Sequence, residues 1–289
     1  MRFSTSTNIQ VFDEGKPNGI SLLDSIGICH EAGYHYLDAN LCGQCRTGQP
    51  LSLGDWESWV VGIRTEAERQ GVEFRQSHGF FPLKYVVLDD LRRDDDAYGE
   101  EMLRRSILAS QALQVRWMVV HPQTAFTPDG SVDADWSLRY NLNTYRRWGL
   151  FAAEHHVGIA IENMIAPKYG SDINDLLKLR EAIGLENVQV CIDTGHAHLS
   201  CLDVPAVLEQ VGPHLKATHI ADNHRNTDEH QPPFFGTIDW RKVMKTLADI
   251  GYDEDFSFEI QNFTKPYPKA VQKDLVRFSY TLGRWLLDA

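Results

Sequence analysis

VCIDTGHAHLS at residues 190–200 and LKATHIADNHRNTDEH at residues 215–230 each run from an apolar strand pattern into a group of acids and imidazoles. Cys191-Ile192 leads into Asp193-Thr194-Gly195-His196. Ala217-Thr218-His219-Ile220 leads into Asp222, His224, Asp228 and His230. Apolar runs this short, closed by Gly, Asp and Asn, read as parallel strands buried on both faces. A charged group at the end of such a strand has lost much of its water. Several acids and imidazoles gathered there share one inexpensive partner, a divalent cation.

Outward from this stretch the pattern is strand then helix, eight times. Strands are expected at 2–9, 34–38, 72–78, 117–121, 158–162, 188–193, 215–220 and 256–260. Helices are expected at 21–32, 54–70, 94–114, 136–156, 171–183, 204–211, 239–250 and 268–287. Ser21 and Ser171 read as N-caps, and Gly33, Gly71, Gly184 and Gly251 as stops. The run Asp94-Asp95-Asp96 suits the positive end of a helix dipole. With no composition shift between units, the reading is a (β/α)8 TIM barrel in a single domain, 1–289. An open doubly wound sheet would carry a Gly-rich phosphate loop after strand one, and residues 7–13 contain no Gly.

The chain has 289 residues, 43% of them hydrophobic, which suits one barrel of about 250 residues or more. No apolar run reaches the roughly 18 residues of a membrane span. The N-terminus MRFSTSTNIQ lacks a signal-peptide core, and five scattered Cys argue against a disulfide framework. The expectation is a cytoplasmic protein. A net charge of −12 with no basic stripe argues against nucleic acid, since the Arg pairs at 92–93 and 146–147 are flanked by acids or aromatics.

In a barrel the C-terminal ends of all strands meet on one face. That mouth would collect His78, His121, Glu162, Asp193, His196, His219 and Glu259, with Asp228 and His230 in the loop after strand seven. Singly, His78 or His121 is more simply a hydrogen-bonded loop-edge residue. Glu162 and Glu259 end the apolar runs IAIE and FSFE, where an unpaired carboxylate is costly. Glu162, Asp193, His219 and Glu259 together make an N/O donor set that suits one divalent ion, Mn, Mg, Co, Fe or Zn.

The motifs IENM (161–164), CIDTGHAH (191–198), HIADN (219–223) with a following D-x-H (228–230), GTIDW (236–240) and LADIGYDEDFSFEI (247–260) resemble the xylose-isomerase-like TIM-barrel family. That family holds sugar isomerases and epimerases and a branch of apurinic-site endonucleases. The resemblance implies that Glu162, Asp193, His219 and Glu259 bind a divalent metal, and that His196 sits beside the substrate. It further implies a sugar or sugar-phosphate isomerase or epimerase working through an enediolate, with Glu162 and Glu259 as the acid/base pair. Arg225 and Lys168 would contact substrate hydroxyls, with His121 and His78 nearby. An inositol-type dehydratase is a related alternative.

The endonuclease branch uses nine ligands for three zinc ions, and His78, His121, Glu162, Asp193, His196, His219, Asp228, His230 and Glu259 match their types and order. His230 and Asp228 are therefore candidates for an additional metal. The acidic charge and the isomerase-like flanking sequence favour the sugar enzyme. A binding barrel with an eroded site ranks last, because no strand-end residue looks lost. Cys42-Gly43-Gln44-Cys45 has no second ligand pair nearby, so it reads as two reduced loop cysteines, and Cys29 and Cys191 as packing. Phe80, Phe81 or an inward Trp117 could stack on a sugar. The apolar run 85–87 suggests a subunit contact in a homo-oligomer.

Overall fold

The computed structural model describes residues 1–10, 20–81 and 97–288, and the backbone of 86–87. Eight parallel strands form one sheet: β1 Arg2–Ser6, β2 Tyr36–Asn40, β3 Glu73–His78, β4 Trp117–Val120, β5 Gly158–Glu162, β6 Val188–Asp193, β7 Leu215–His219 and β8 Asp255–Phe258. They run in chain order, with β8 beside β1. The remaining seam is bridged just past β7, where Ile220 pairs in parallel with Phe258. The Ile220 N–H donates to the Ser257 carbonyl at 2.7 Å, and the Glu259 N–H to the Ile220 carbonyl at 3.1 Å. The result is the expected TIM barrel, nearly closed.

The helices are α1 Leu22–Ala32, α2 Trp56–Gln70, α3 Ala97–Ala112, α4 Ala134–Glu154, α5 Ile173–Ile183, α6 Thr194–Leu199, α7 Val204–Val211, α8 Trp240–Asp249 and α9 Lys269–Asp288. Ser21 caps α1 and Gly33, Gly71 and Gly184 end their helices in the left-handed region, as expected. Other boundaries differ for local reasons. Strand two starts at Tyr36 because Tyr34 belongs to the cap of α1: its N–H reaches back to the Cys29 carbonyl at 3.0 Å, while that of Gly33 reaches His30 at 2.9 Å. This Schellman arrangement shifts the strand by two residues and extends it to Asn40. Strand one ends at Ser6, where a turn returns the Ile9 N–H to the Ser6 carbonyl at 3.1 Å. Asp172, not Ser171, caps α5, and α4 starts at Ala134, two residues before its expected start, with Asp133 as its cap. Helix α6 was not anticipated. The run 94–96, Tyr85, the pair 92–93 and residues 11–13 lie outside the described residues. The backbone of 86–87 pairs in parallel with Ala125–Phe126, giving that apolar run a partner strand within the chain.

Two cores result. The large one lies between sheet and helices. A small one inside the barrel comprises Trp117, Val119, Ala160, Cys191 and Ala217. Trp117 plugs the end opposite the mouth, its Nε1 donating to Glu254 at 3.4 Å, so it offers no stacking surface to a ligand at the mouth. Around the other half of the wall the buried interior is polar, with Ser4, Asp38, Gln76 and Ser257. No helix among the described residues is long and apolar enough to cross a membrane.

Two helical glycines give opposite expectations. Gly283 in α9 lies on the Phe3 ring, and an added Cβ would fall inside that ring, itself wedged among Tyr34, Phe258 and Tyr280. Gly62 in α2 has nothing near its Cβ position. Alanine gains about 1 kcal/mol of helix propensity at either site, while overpacking costs about 3 kcal/mol at the first. Chemical denaturation should therefore show Gly62→Ala stabilised by about 1 kcal/mol and Gly283→Ala destabilised by about 2 kcal/mol. A stabilised Gly283→Ala protein would contradict this packing.

Candidate metal centre

The ends of β3, β5, β6 and β7 carry His78, Glu162, Asp193 and His219, and His121 and Glu259 lie one residue past β4 and β8. Asp193 also starts α6: its Oδ1 accepts the His196 N–H at 2.7 Å, which turns the chain and lifts the His196 ring to the same face. The loop after β7 brings Asp228 and His230. Asp222 holds that loop. Fully buried, it accepts the N–H groups of Asn223, Phe234 and Ile238 and the Trp240 indole N–H at 2.8–3.2 Å.

These nine side chains fall into three groups: His78, His121 and Glu162; Glu162, Asp193, His219 and Glu259; and His196, Asp228 and His230. Glu162 joins the first two. Its Oε2 is 2.9 Å from His121 Nε2 and 3.5 Å from His78 Nε2, and its Oε1 is 2.9 Å from His219 Nδ1. Glu259 Oε2 lies 3.3 Å from the same Nδ1. In the third group, Asp228 Oδ2 is 2.9 Å from His230 Nε2 and 3.5 Å from His196 Nε2.

The imidazoles are held by one nitrogen and present the other. His78 Nδ1 is 3.1 Å from the Gly79 carbonyl, His196 Nδ1 2.9 Å from that of Asn163, and His230 Nδ1 2.9 Å from that of Glu259. A carbonyl only accepts, so each of these nitrogens carries the hydrogen. In the neutral rings Nε2 is then a bare lone pair, and all three face carboxylate oxygens. His78 and His121 also bring their Nε2 atoms within 3.1 Å of each other. Lone pairs packed against carboxylates repel unless a proton or a cation lies between them. Asp193 Oδ2 is buried with no hydrogen-bond partner among the described residues. This is how metal-ligating histidines are usually anchored, so the donor set fits divalent cations.

Without a cation, protons do part of that work. Burial opposes charge on His219, but Glu259 and Glu162 outweigh it and raise its pKa well above the usual value. Burial likewise disfavours ionised Glu162, yet His219 and His121 hold it well below the carboxylate range. Burial lowers His230, but Asp228 reverses this and lifts it to about 9. Burial wins for His121, at about 4, and for Asp193, at about 6. Cys191 forms part of the floor, within reach of Glu162 and His219. Burial pushes its thiol well up, so the donors remain nitrogen and oxygen.

The expected metal set of Glu162, Asp193, His219 and Glu259 is thus assembled, and His78, His121, His196, Asp228 and His230 converge on it. Arg225 and Lys168 do not join these groups. Arg225 is exposed, with its Nε donating to His198 Nδ1 at 3.3 Å. Lys168 lies in the turn after β5, its backbone N–H on the Ile165 carbonyl. Phe81 stacks on the His121 ring at 4.2 Å, whereas Phe80 packs on the core. Cys45 is buried against Ser106 and Cys42 turns to Asn40, so the pair serves no joint site. Asn163 was not anticipated. Its Oδ1 accepts the Asp193 N–H at 2.7 Å while its carbonyl orients His196. Its only signal in the sequence is its place after Glu162. Asp38, also missed, lies beneath His219, with Oδ2 3.1 Å from Nε2.

A family model described as a xylose isomerase-like TIM barrel matches residues 26–281. An uncharacterized protein of Sinorhizobium fredii, y4fM, is 30% identical over 269 residues, covering 88% of this chain and 83% of its own. Among solved structures, a D-psicose 3-epimerase crystallised in the presence of D-fructose superposes with a TM-score of 0.77 at 15% identity over 100% of both chains. A D-tagatose 3-epimerase-like protein superposes with a TM-score of 0.73 at 20% identity over 98% of each.

Proposed function

The chain belongs to the xylose isomerase-like TIM-barrel family, and from that premise we propose that it is a divalent-metal-dependent isomerase or epimerase of a sugar or sugar phosphate, with residues 1–289 acting as one domain. The observation that carries the reading is the buried group Glu162, Asp193, His219 and Glu259 at the mouth of the barrel. The sugar 3-epimerases among its structural neighbours support the substrate class. So does the net charge of −12, which disfavours a polyanion.

In this reading Glu162, Asp193, His219 and Glu259 hold one ion. When bound, a divalent cation supplies a Lewis acid that polarises a carbonyl and stabilises an adjacent negative charge. The protein's own part is proton transfer. Glu162 and Glu259 reach the mouth from β5 and from just past β8, on either side of His219, so one can take a proton from a carbon and the other return it. Glu162 starts ionised, as a base requires, because His219 and His121 overcome its burial. The buried wall around the group keeps water from competing for the proton. His196 and Arg225 orient the sugar, with Lys168, His78 and His121 as additional contacts. Arg225 must leave His198 to do so.

A second reading is favoured by one observation: all nine candidate ligands gather in three groups, two of them sharing Glu162. Three ions held together suit hydrolysis of a phosphodiester, as in an apurinic-site endonuclease. His196 separates the readings, since it touches a sugar in the first and holds a cation with Asp228 and His230 in the second.

Elemental analysis of protein purified without added metal or chelator tests both. About one equivalent of Mn, Co, Fe, Mg or Zn per chain is expected, with turnover of at least one ketose in a panel. About three zinc per chain, with cleavage of abasic DNA and no ketose turnover, would replace the first reading by the second. Turnover of an inositol-type ring would keep the metal and change the reaction to dehydration.

A further inference from the structure

Inside the barrel, one layer below the mouth, Asp38 is a carboxylate where an apolar side chain would fill the space. It is fully buried, in a barrel interior that also holds the apolar cluster of Val119, Ala160, Cys191 and Ala217. Three donors from three other strands converge on one of its oxygens. Oδ2 lies 2.7 Å from Gln76 Nε2, 3.1 Å from His219 Nε2 and 3.4 Å from Ser257 Oγ. Gln76 Nε2 also donates to the Thr218 carbonyl at 3.2 Å, and two acceptors on one atom fix which end of that amide is nitrogen. Gln76 therefore offers hydrogen here and cannot accept the His219 Nε2 hydrogen in place of Asp38. Burying a carboxylate costs several kcal/mol unless it is paired, and packing alone gives no reason for an acid here.

We propose that Asp38 is the positioning residue of the centre: it accepts the His219 Nε2 hydrogen, and so turns the Nδ1 lone pair toward Glu162 and Glu259. The inference rests on the reading of that group as a metal site. His219 differs from His78, His196 and His230, which give Nδ1–H to backbone carbonyls and present Nε2. No carbonyl among the described residues holds the His219 ring, so its tautomer depends on a side chain, and a carboxylate can only accept. Holding that hydrogen also makes Nδ1 a stronger donor to a cation. Gln76 and Ser257 occupy the rest of Oδ2 and keep Asp38 from turning away.

The test is Asp38→Leu, close in size, with Zn2+ added to chelator-treated protein. Leucine accepts no hydrogen, so Glu162 and Glu259, facing Nδ1, draw the ring's hydrogen to that nitrogen and the lone pair is lost from the centre. Zn2+ affinity, from competition with a fluorescent chelator, should fall roughly 10- to 100-fold while circular dichroism stays that of the wild type. Imidazole 15N shifts should place the His219 hydrogen on Nε2 in the zinc-loaded wild type and on Nδ1 in the variant. Equal affinity together with an unchanged tautomer would overturn the role of Asp38 and leave the metal site standing. A wild-type protein that binds no Zn2+ would overturn both. If the variant does not fold, the wild-type spectrum decides: hydrogen on Nδ1 of His219 overturns the inference.

Discussion

Glu162→Gln should lower turnover of the sugar substrate by roughly 1000-fold or more and leave the barrel folded. Both Glu162 oxygens face imidazole nitrogens, Oε2 at 2.9 Å from His121 Nε2 and Oε1 at 2.9 Å from His219 Nδ1, and the residue belongs to two of the three groups. An amide of the same shape removes the negative charge and offers hydrogen where a lone pair is required. An acid/base group alone contributes about 100- to 10,000-fold, so loss of the proton acceptor is enough for the expected effect. The fold should survive because His219 can lose its proton when its partner is neutralised, so no uncompensated charge is left in the interior. Kinetics and thermal melting on one preparation check this, and metal content apportions it. Retained metal with lost turnover assigns Glu162 to proton transfer, and lost metal assigns it first to ligation. Turnover within tenfold of the wild type would remove Glu162 from the mechanism.

The reason Glu162 stands out in the sequence is the reason it matters. IAIE and FSFE end apolar runs in acids, and burial makes such acids conspicuous. The same contrast exposed Asp193 and His219, and β5, β6 and α7 fall at their expected limits because polar or turn residues bound them sharply. What the sequence could not carry was pairing. That His78 and His121 share Oε2 of Glu162, or that His196 and His230 share Asp228, follows from the curvature of a closed sheet. Asp38 was hidden twice. The Schellman turn at Gly33 and Tyr34 moved its strand by two residues, and its partner His219 lies 181 positions away. Helix α6 was hidden because Thr-Gly-His-Ala-His reads as loop until Asp193 is seen to cap it. Arg225 illustrates the converse: the family resemblance implies a substrate contact for it, and its left-handed backbone and its bond to His198 set it apart from the nine.

Chelation should abolish activity and also make the stripped protein less stable as pH rises from about 6.5 to 9. His230 carries the sign. Its folded pKa is raised to about 9, because Asp228 overcomes the effect of burial, against about 6.5 in an unfolded chain. A raised histidine stabilises the fold fully below the unfolded value and loses that contribution as pH climbs through the folded one. The loss is about 3 kcal/mol for His230. His196 and His219 are raised as well and act in the same direction. The depressed acids Glu162 and Asp228 contribute above the unfolded carboxylate range and lose stability only as pH falls, so they do not enter this window. Asp193, at about 6, changes below it. A bound cation held by the four-residue set replaces the proton on His219, and its affinity rises as that proton leaves. The difference in Tm between Mn2+-loaded and stripped protein should therefore widen between pH 6.5 and 9. A constant difference, or a stripped protein more stable at pH 9 than at 6.5, would mean that the imidazoles and carboxylates at the mouth do not hold one another as this geometry requires.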